Sequence, residues 1–220
     1  MVQQLSLFAS IPKSQYNLTI ASLATLTGFQ PSQFQSYNLI CSPKTIVKYE
    51  PNSKNAQYEQ YKIIMKSPFN EDEDDPKGSK EWIMQVNDIP SAGKRKINIQ
   101  SLLESNIQLN SNQTIEESLG DLGYKIESDY VLKGERFFHQ NNITIEIFQI
   151  LLKKEDGQWS VLNDDGFVIK TFINVEKSTD IENLQKSSQI LLNLKNELQG
   201  LIELDIPDRN SMDSRIGLRK

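Results

Sequence analysis

The stretch ITIEIFQILL, residues 143–152, decides the predicted fold class because its apolar side chains change face partway along. One set of apolar residues occupies the first half and a second set, on the opposite face, the second half: Ile143, Ile145 and Ile147, then Phe148, Ile150 and Leu152. Alternation with a period of two predicts a β-strand. A change of face within such a strand is typical of a bulged or bent strand in a closed sheet.

Further strands are predicted on both sides of this stretch, separated by short polar turns. They cover residues 2–8, 82–86, 97–99, 124–132, 159–161, 167–175 and 201–206. The tripeptide Lys133-Gly134-Glu135 is predicted to form a turn that ends the strand 124–132. Many short strands joined by turns favour a mostly antiparallel sheet that is closed, or nearly closed, into a barrel.

Helices are predicted where apolar residues recur every three or four positions between capping signals. Pro12 marks the start of the first helix and Gly28 its end. Two capping boxes, Thr114 with Glu117 and Thr179 with Glu182, mark the starts of two further helices. The last helix carries a continuous apolar stripe and is predicted to end at Gly200. The sequence therefore predicts a mainly β fold with flanking helices: an antiparallel β-barrel on which one N-terminal and one long C-terminal helix pack.

The chain is predicted to form one domain, residues 1–220, with a flexible variable segment at about residues 41–80. That segment contains a possible strand at residues 58–65 and the acidic run EDEDD at residues 71–75. The net charge of the chain is −5, so the residues outside this run of five carboxylates sum to zero. A body without a basic surplus argues against direct binding of nucleic acid. We interpret the acidic run as a solvated loop.

Several protein classes are excluded by what the sequence lacks. No apolar run approaches the ~20 residues that span a bilayer, and the N-terminal residues do not have the pattern of a secretory signal. We therefore expect a cytosolic or nuclear protein with no membrane contact. Cys41 and His139 are the only cysteine and the only histidine, so an intramolecular disulfide and a thiolate zinc cluster are excluded. We interpret Cys41 as a loop or small buried residue and His139 as a turn residue, and no cofactor is predicted.

The alternative to a non-enzymatic protein is a metal-dependent tunnel-type phosphohydrolase. Such an enzyme needs several carboxylates on inward strand positions to hold hard cations, together with inward cations for the phosphates. Glu146 is isolated between two isoleucines, and we interpret Glu203 and Asp205 as the solvent-facing side of an edge strand. No glycine-rich phosphate loop occurs in the sequence. No catalytic or metal-binding residue is therefore predicted.

Four segments carry a resemblance to a known family. They are MVQQLSLF at residues 1–8, VNDIPSAG at 86–93, LGDLGY at 119–124 and LKNELQGLIELDIPDRNSMDSR at 194–215. These segments resemble the fungal Mediator complex subunit 18 family, and the C-terminal block is the most specific of them. The resemblance covers residues 1–28 and most of 81–215, whereas residues 29–80 do not match recognisably.

The resemblance implies a β-barrel that pairs with Mediator subunit 20 and holds a C-terminal helix of Mediator subunit 8. It also implies a place in the head module of the Mediator coactivator, which contacts RNA polymerase II in the nucleus and supports transcription initiation. The family's barrel is similar to that of tunnel-type RNA triphosphatases. Because paired inward carboxylates are missing from the sequence, we expect that the chemistry is not shared.

One predicted partner surface lies on the first helix, around Ser22, Leu23 and Leu26. The small polar side chains of this helix would permit close crossing by a partner helix. A purely structural role for the helix remains an equal alternative.

A second predicted partner surface is the polar segment that follows Pro207. It comprises Asp208, Arg209, Met212, Asp213 and Arg215. Met212 and Arg215 are predicted to anchor a partner, because long apolar and cationic side chains dominate binding energies at interfaces. Asp208 and Asp213 are predicted to fix the register of that contact. The alternative is that this segment packs on the barrel of its own chain.

Overall fold

The computed structural model describes residues 1–46, 60–70, 76–93, 95–155 and 157–216. Within these ranges the predicted fold class is confirmed, because eight antiparallel strands close into a barrel that carries helices on its outside. The acidic run at residues 71–75 lies outside the described residues, so its predicted solvated-loop structure is not addressed. None of the described helices is long and apolar enough to cross a membrane.

The described strands and helices alternate along the chain. The strands are β1 (Val2–Pro12), β2 (Ser32–Pro43), β3 (Gln60–Tyr61), β4 (Ile63–Pro68), β5 (Glu81–Asn87), β6 (Asn98–Gln108), β7 (Tyr124–His139), β8 (Ile143–Lys153), β9 (Trp159–Val161), β10 (Gly166–Val175) and β11 (Arg215–Ile216). The helices are α1 (Tyr16–Thr27), α2 (Ile115–Asp121) and α3 (Ile181–Glu197).

The barrel closes where β8 pairs with β10. The order of the hydrogen-bonded strands is β10-β1-β6-β5-β4-β2-β7-β8, and the additional ladder between β8 and β10 joins its two ends. Only the first half of β8 pairs with β10, from Thr144 opposite Phe172 to Phe148 opposite Val168. Beyond that point β8 pairs with β9 instead. A hairpin therefore extends from the closed barrel at the end of β8.

Of the bulged and bent alternatives for residues 143–152 the bulge is wrong, while the closed sheet that the change of face indicated is confirmed. The ladder between β7 and β8 runs in one continuous register from His139 opposite Ile143 to Val131 opposite Leu151. The register shift in this part of the sheet lies instead between β2 and β7, at Ile40 and Cys41. Apolar residues occupy both faces of β8 because Phe148 and Ile150 lie on the inward face, opposite Val168 and Leu132 of the neighbouring strands.

The turn predicted at residues 133–135 is also wrong, since β7 passes through Gly134 without interruption. A Cβ atom on Gly134 would lie 2.0 Å from the carbonyl oxygen of Ile147 and 2.6 Å from Cα of Phe148. The glycine therefore permits a close approach of two backbones within the sheet, which is one of the roles of glycine inside a strand.

Two apolar clusters lie on the outside of the barrel. The first contains Leu5 and Leu7 of β1 and is covered by α1 and α3 through Leu23 and Leu191. The second contains Tyr37 of β2 and packs against α2 and the β9 hairpin. The two predicted covering helices, at the N-terminal and C-terminal ends, are confirmed at Tyr16–Thr27 and Ile181–Glu197.

Helix ends follow the capping signals with shifts at α1, which begins at Tyr16 after a 3-10 turn at Lys13–Gln15, and at α3, which ends at Glu197 rather than at Gly200. Gly28 ends α1 with a φ of 75°, and Thr114 forms the predicted capping box with Glu117. The N-cap of α3 is Asp180 rather than Thr179, because the Asp180 carboxylate accepts from the backbone N–H of Asn183 at 3.1 Å.

The strand predicted at residues 201–206 forms only a single bridge, between Asp205 and Phe8. Pairing of β1 with β6 stops at Ser6, which leaves the backbone of Phe8 free on that side of β1. Asp205 bonds to Phe8 in both directions, at 2.7 and 2.8 Å. Ile202 and Leu204 are buried as predicted, while Glu203 and Asp205 are exposed.

The segment 41–80 contains part of the barrel. Residues 41–43 end β2, and β4 occupies Ile63–Pro68 between β2 and β5. The possible strand at residues 58–65 corresponds to β3 and β4 where it is described. Residues 47–59 and 71–75 lie outside the described ranges.

Replacement of Gly134 by alanine should destabilise the protein. The added methyl group would overlap the β8 backbone, and overpacking against backbone atoms costs at least about 2 kcal/mol. Urea denaturation followed by tryptophan fluorescence measures the change in the free energy of unfolding.

Gly120→Ala is the matched control, because Gly120 lies inside α2 and the nearest atom to its new Cβ would be the flexible Lys44 Nζ at 3.1 Å. Alanine there should be neutral or stabilising by up to about 1 kcal/mol. A Gly134→Ala protein as stable as the parent would contradict the close-approach interpretation.

Candidate functional site

Ionisable side chains from several strands face the interior of the barrel, here called the lumen; Glu81 lies at its mouth, and five others lie further along the strands. The register places Glu146 opposite both Arg136 and Lys170, so these three share one face of the sheet. Lys66 bonds to Gln85, which lies opposite Glu104. We call these five residues the lumen cluster: Lys66, Glu104, Arg136, Glu146 and Lys170.

A cavity of about 830 Å³ occupies one end of the lumen. Four members of the lumen cluster line it, together with apolar side chains that include Phe34, Trp82 and Ile107. It opens where β2 and β5 begin and β4 and β6 end, because Gln35, Pro68, Glu81 and Gln108 also line it. Apolar and ionised side chains therefore both line the cavity.

Arg136 and Glu146 form the one close ion pair within the lumen cluster. The guanidinium of Arg136 approaches Oε1 of Glu146 at 2.7 Å and also lies 4.7 Å from the centre of the Phe34 ring. Charge-assisted hydrogen bonds of this kind are short and directional. Arg136 is thus held in place by both an anion and an aromatic face.

The two lysines of the lumen cluster have only neutral partners among the described residues. Lys66 donates to Oε1 of Gln85. The ammonium of Lys170 lies 4.8 Å from the Phe172 ring centre and 5.9 Å from that of Phe8, in cation–π contacts. Burial lowers the pKa of Lys170 to about 8, with partial compensation by the Glu146 carboxylate. Burial also lowers the pKa of Lys66, with partial compensation by Glu104.

Sequence reasoning identified only Glu146 of the lumen cluster. The five residues lie on five strands, and only strand order and register bring them together. The sequence signal that could have indicated the others is a charged residue within a mainly apolar strand, such as Lys170 between Ile169 and Thr171. Without the partner strands, such a residue is indistinguishable from one that faces solvent.

The carboxylates considered for metal-dependent chemistry do not meet in the structure. Glu203 accepts from the backbone N–H of Gly200 at 2.9 Å, and Asp205 pairs with Lys195 of α3 at 3.6 Å. Both are exposed on the outside of the barrel, away from Glu146. In the ranges that the structure describes, no three side chains of His, Cys, Asp or Glu are grouped to hold a metal ion.

Cys41 lies in an apolar cluster and His139 at the end of a strand. Cys41 is completely buried in the second apolar cluster, and burial raises the pKa of its thiol to about 12. His139 ends β7 next to the tight turn formed by residues 140–142. Cys41 is thus the small buried residue that one of the two alternatives predicted, whereas the prediction of a turn residue at His139 is wrong, because His139 is the last residue of β7.

Helix α1 has one face against the barrel and one face in solvent. Leu23 is completely buried in the first apolar cluster, and Leu26 packs against that cluster from the side. Ser22 is half-buried. Leu23 therefore supports the helix from below and does not lie on its accessible surface.

The outer face of α1 carries a shallow groove of about 480 Å³ that we call the α1 groove. Its lining residues are Asn17, Ile20, Ala21, Ala24, Thr25 and Gln30. Two large apolar side chains lie exposed on the same helix or directly after it: Leu18 at 60% and Phe29 at 70% exposure. Small residues along the groove allow close approach, and the exposed apolar residues supply area to bury.

The C-terminal tail, residues 208–216, lies across the opposite end of the barrel from the cavity. Arg209 donates to the carbonyl of Pro90 at 2.7 Å, and the carbonyl of Met212 accepts from Gln100 of β6 at 3.3 Å. Arg215 forms a two-point contact with Asp213 at 2.9 and 3.0 Å, and its backbone pairs with β3. Asp208 accepts from the backbone N–H of Asn210. The tail thus makes several contacts within its own chain.

These features define a closed antiparallel barrel with outer helices, a charged lumen and a groove on its first helix. The family model described as Med18 protein matches residues 3–215. Because this match spans almost the whole chain, the chain belongs to the Med18 protein family.

Two curated relatives match this chain over nearly their whole length and nearly the whole length of the chain. Mediator of RNA polymerase II transcription subunit 18 from Kluyveromyces lactis is 33% identical over 252 residues, covering 98% of each protein. The protein of that name from Eremothecium gossypii is 34% identical over 253 residues, covering 99% of this chain and 98% of the relative.

A solved structure of the Schizosaccharomyces pombe Mediator head module contains a chain with the same fold. The two chains superpose with a TM-score of 0.74 at 19% identity, covering 92% of this chain and 98% of that one. At this identity the likeness shows the fold alone.

Removal of the Lys170 charge should stabilise the protein near neutral pH. The folded-state pKa of about 8 lies below the ordinary value of 10.5, so the unfolded state binds more protons between these values and stability rises with pH there. After allowance for water in the open lumen, Lys170→Met should gain roughly 1–2 kcal/mol at about pH 7. That advantage should shrink as the pH rises from about 8 to about 10.

Urea denaturation at several pH values measures this difference, with the exposed Lys125 of β7 as the matched position. Lys125→Met, at an exposed position, should change the free energy of unfolding by less than about 0.5 kcal/mol. An advantage of Lys170→Met that stays constant across this range would contradict a perturbed Lys170.

Proposed function

We propose that this chain is a non-enzymatic subunit of the Mediator head module that supports regulated transcription initiation by RNA polymerase II in the nucleus. The observation that carries the proposal is the near full-length match to proteins named Mediator subunit 18. The shared fold with a chain of the S. pombe head module supports it further. Within that module, the chain pairs with Mediator subunit 20 and holds a C-terminal helix of Mediator subunit 8.

The α1 groove is the surface that we assign to the subunit 8 helix. Its small side chains at Ala21, Ala24 and Thr25 permit the axis of a partner helix to approach closely. The exposed side chains of Leu18 and Phe29 flank α1 and would be buried by an apolar partner face. The burial of Leu23 beneath α1 keeps the helix fixed on the barrel, so the groove is presented as a rigid surface.

The tail is the second surface that we propose for partner contact. Met212 is half-buried, and the Arg215 side chain keeps 22% of its surface exposed, whereas that of Asp213 keeps only 10%, so Met212 and Arg215 offer the accessible part of this surface. The ion pair between Asp213 and Arg215 holds the guanidinium in place. A preorganised side chain loses less conformational entropy when a partner binds.

The membership in the complex is tested by co-expression of this chain with Mediator subunits 20 and 8, followed by size-exclusion chromatography. We expect the three proteins to elute together. Ala21→Arg should remove subunit 8 and retain subunit 20, because a long charged side chain fills the α1 groove without touching the barrel core.

The matched control is Gln185→Arg, which places the same side chain on the exposed face of α3. This variant should elute with both partners. Elution of the unmodified chain alone, without a shift in volume, would refute the proposed function. Retention of subunit 8 by Ala21→Arg would refute only the assignment of the groove.

The tail is tested by the double variant Met212→Ala plus Arg215→Ala. We expect weaker co-elution with the partners, while the free energy of unfolding of the isolated chain falls by less than about 1.5 kcal/mol. Thermal unfolding and size-exclusion chromatography on the same samples measure both quantities. Losses of equal size in stability and in binding would show that the tail serves packing within the chain.

A further inference from the structure

Strand β6 extends beyond the N-terminal end of β1, its neighbour in the barrel. Pairing between the two strands ends at Val2 opposite Leu102, and residues 103–108 of β6 continue past that point. Among the described strands this stretch pairs only with β5. Its other side is therefore an open strand edge, which we call the β6 edge.

The backbone groups at the β6 edge belong to alternate residues. On the β5 side, the N–H of Leu109 donates to the carbonyl of Lys80 at 2.8 Å, and the carbonyl of Ser101 accepts from Asp88 at 3.0 Å. Because successive residues of a strand direct their backbone groups to opposite sides, the even-numbered residues point away from β5. The N–H and C=O groups that bond to no described residue are those of Glu104, Asn106 and Gln108.

The side chains of these three residues form part of the cavity mouth. Ile83 of β5 lies opposite Asn106 and also lines the cavity. Phe138 of β7 lies two residues from Arg136 on the same inward face. Both apolar side chains are exposed. An added strand at the β6 edge would thus direct alternate side chains into a mouth that offers apolar surface to bury.

We propose that the β6 edge binds an extended segment of a partner protein as an additional antiparallel strand. In this mode of recognition, main-chain hydrogen bonds give affinity and alternate side chains give specificity. Residues directly opposite each other share a face of the sheet, so the segment's residue opposite Asn106 enters the mouth beside Ile83. That residue is apolar. The proposal goes beyond the proposed function, because neither the α1 groove nor the tail includes the β6 edge.

Charge indicates that the segment also carries a basic residue. Glu81 and Glu104 are exposed on the inward face of β5 and β6, and neither forms an ion pair within the described ranges. The cations of the lumen cluster lie on other strands. A lysine or arginine opposite Glu104 would form a cross-strand pair of opposite charges.

The same argument disfavours a second copy of this chain as the occupant. If two β6 edges paired with each other in antiparallel orientation, the residue opposite Glu104 would be a glutamate, an asparagine or a glutamine. No such pairing supplies a cation. Residues 103–108 also contain no proline or lysine, which often protect open edges from strand addition.

The purified full chain and a synthetic peptide, Thr-Val-Leu-Thr-Lys-Val with fluorescein at its N-terminus, test the proposal. In antiparallel pairing the leucine lies opposite Asn106 and the lysine opposite Glu104. We expect saturable binding by fluorescence anisotropy, and amide hydrogen exchange should slow at least about tenfold at residues 104–108. A peptide with glutamate in place of lysine should bind at least about fivefold more weakly, since like charges then lie opposite each other.

Asn106→Pro removes one N–H from the β6 edge and leaves the ladder to β5 intact, because proline is tolerated where the N–H faces outward. It should weaken peptide binding at least about tenfold. Asn106→Ala is the matched control, since it removes the same side chain and keeps the N–H, and it should change the affinity less than about threefold. Thermal unfolding verifies that both variants are folded.

Absence of saturable binding up to about 1 mM peptide would overturn the proposal. So would equal affinity of the lysine and glutamate peptides, or slowed exchange outside residues 104–108. A dimer of the free chain that protects residues 104–108 would assign the edge to a second copy and would also overturn it. Each of these results leaves the proposed Mediator function to its own co-elution test.

Discussion

The ladder between β8 and β10 is the constraint on which the rest of the structure depends. It joins the two ends of an eight-strand sheet and so divides the side chains of every barrel strand into an inner and an outer set. Closure also pairs backbone groups that an open sheet would expose at its edges. Once the sheet is closed, the outer apolar faces must be covered, and the helices at either end of the chain cover the larger of them.

Coverage by α1 determines which residues are available to partner proteins. The helix buries Leu23 against the barrel and turns Ala21 and Thr25 toward solvent, so residues close in sequence have opposite roles. The predicted surface around Ser22, Leu23 and Leu26 combines the two faces of this helix, because Leu23 is buried against the barrel; partner binding by α1 stays a prediction. This helix has threonines and alanines on both of its faces. Residue spacing alone therefore did not separate its buried face from its exposed face.

Local patterns predicted the strands and helices well, because alternation and capping signals are properties of neighbouring residues. They failed where a distant strand decides the outcome. The tripeptide around Gly134 resembles a turn in composition. In the structure Gly134 instead allows the backbone of β8 to approach closely at Ile147, thirteen residues further along the chain. The segment 201–206 alternates like a strand but meets β1 at one residue only. The lumen cluster was missed for the same reason, since its members come from β4, β6, β7, β8 and β10.

The charged lumen sets this barrel apart from one that serves only as a rigid support for outer surfaces. Buried ionised groups rarely stabilise a fold more than apolar residues of similar volume would, and the lowered pKa of Lys170 means that its charge costs folding free energy near neutral pH. Among the described residues neither Lys66 nor Lys170 forms a close ion pair, and the Glu104 and Glu146 carboxylates offset their burial only in part. The outer helices rest on strands β1, β7 and β10, and each of these strands also contributes a side chain to the lumen: Phe8, Arg136 and Lys170. The same strands therefore connect the charged interior of the barrel to the helices on its outside.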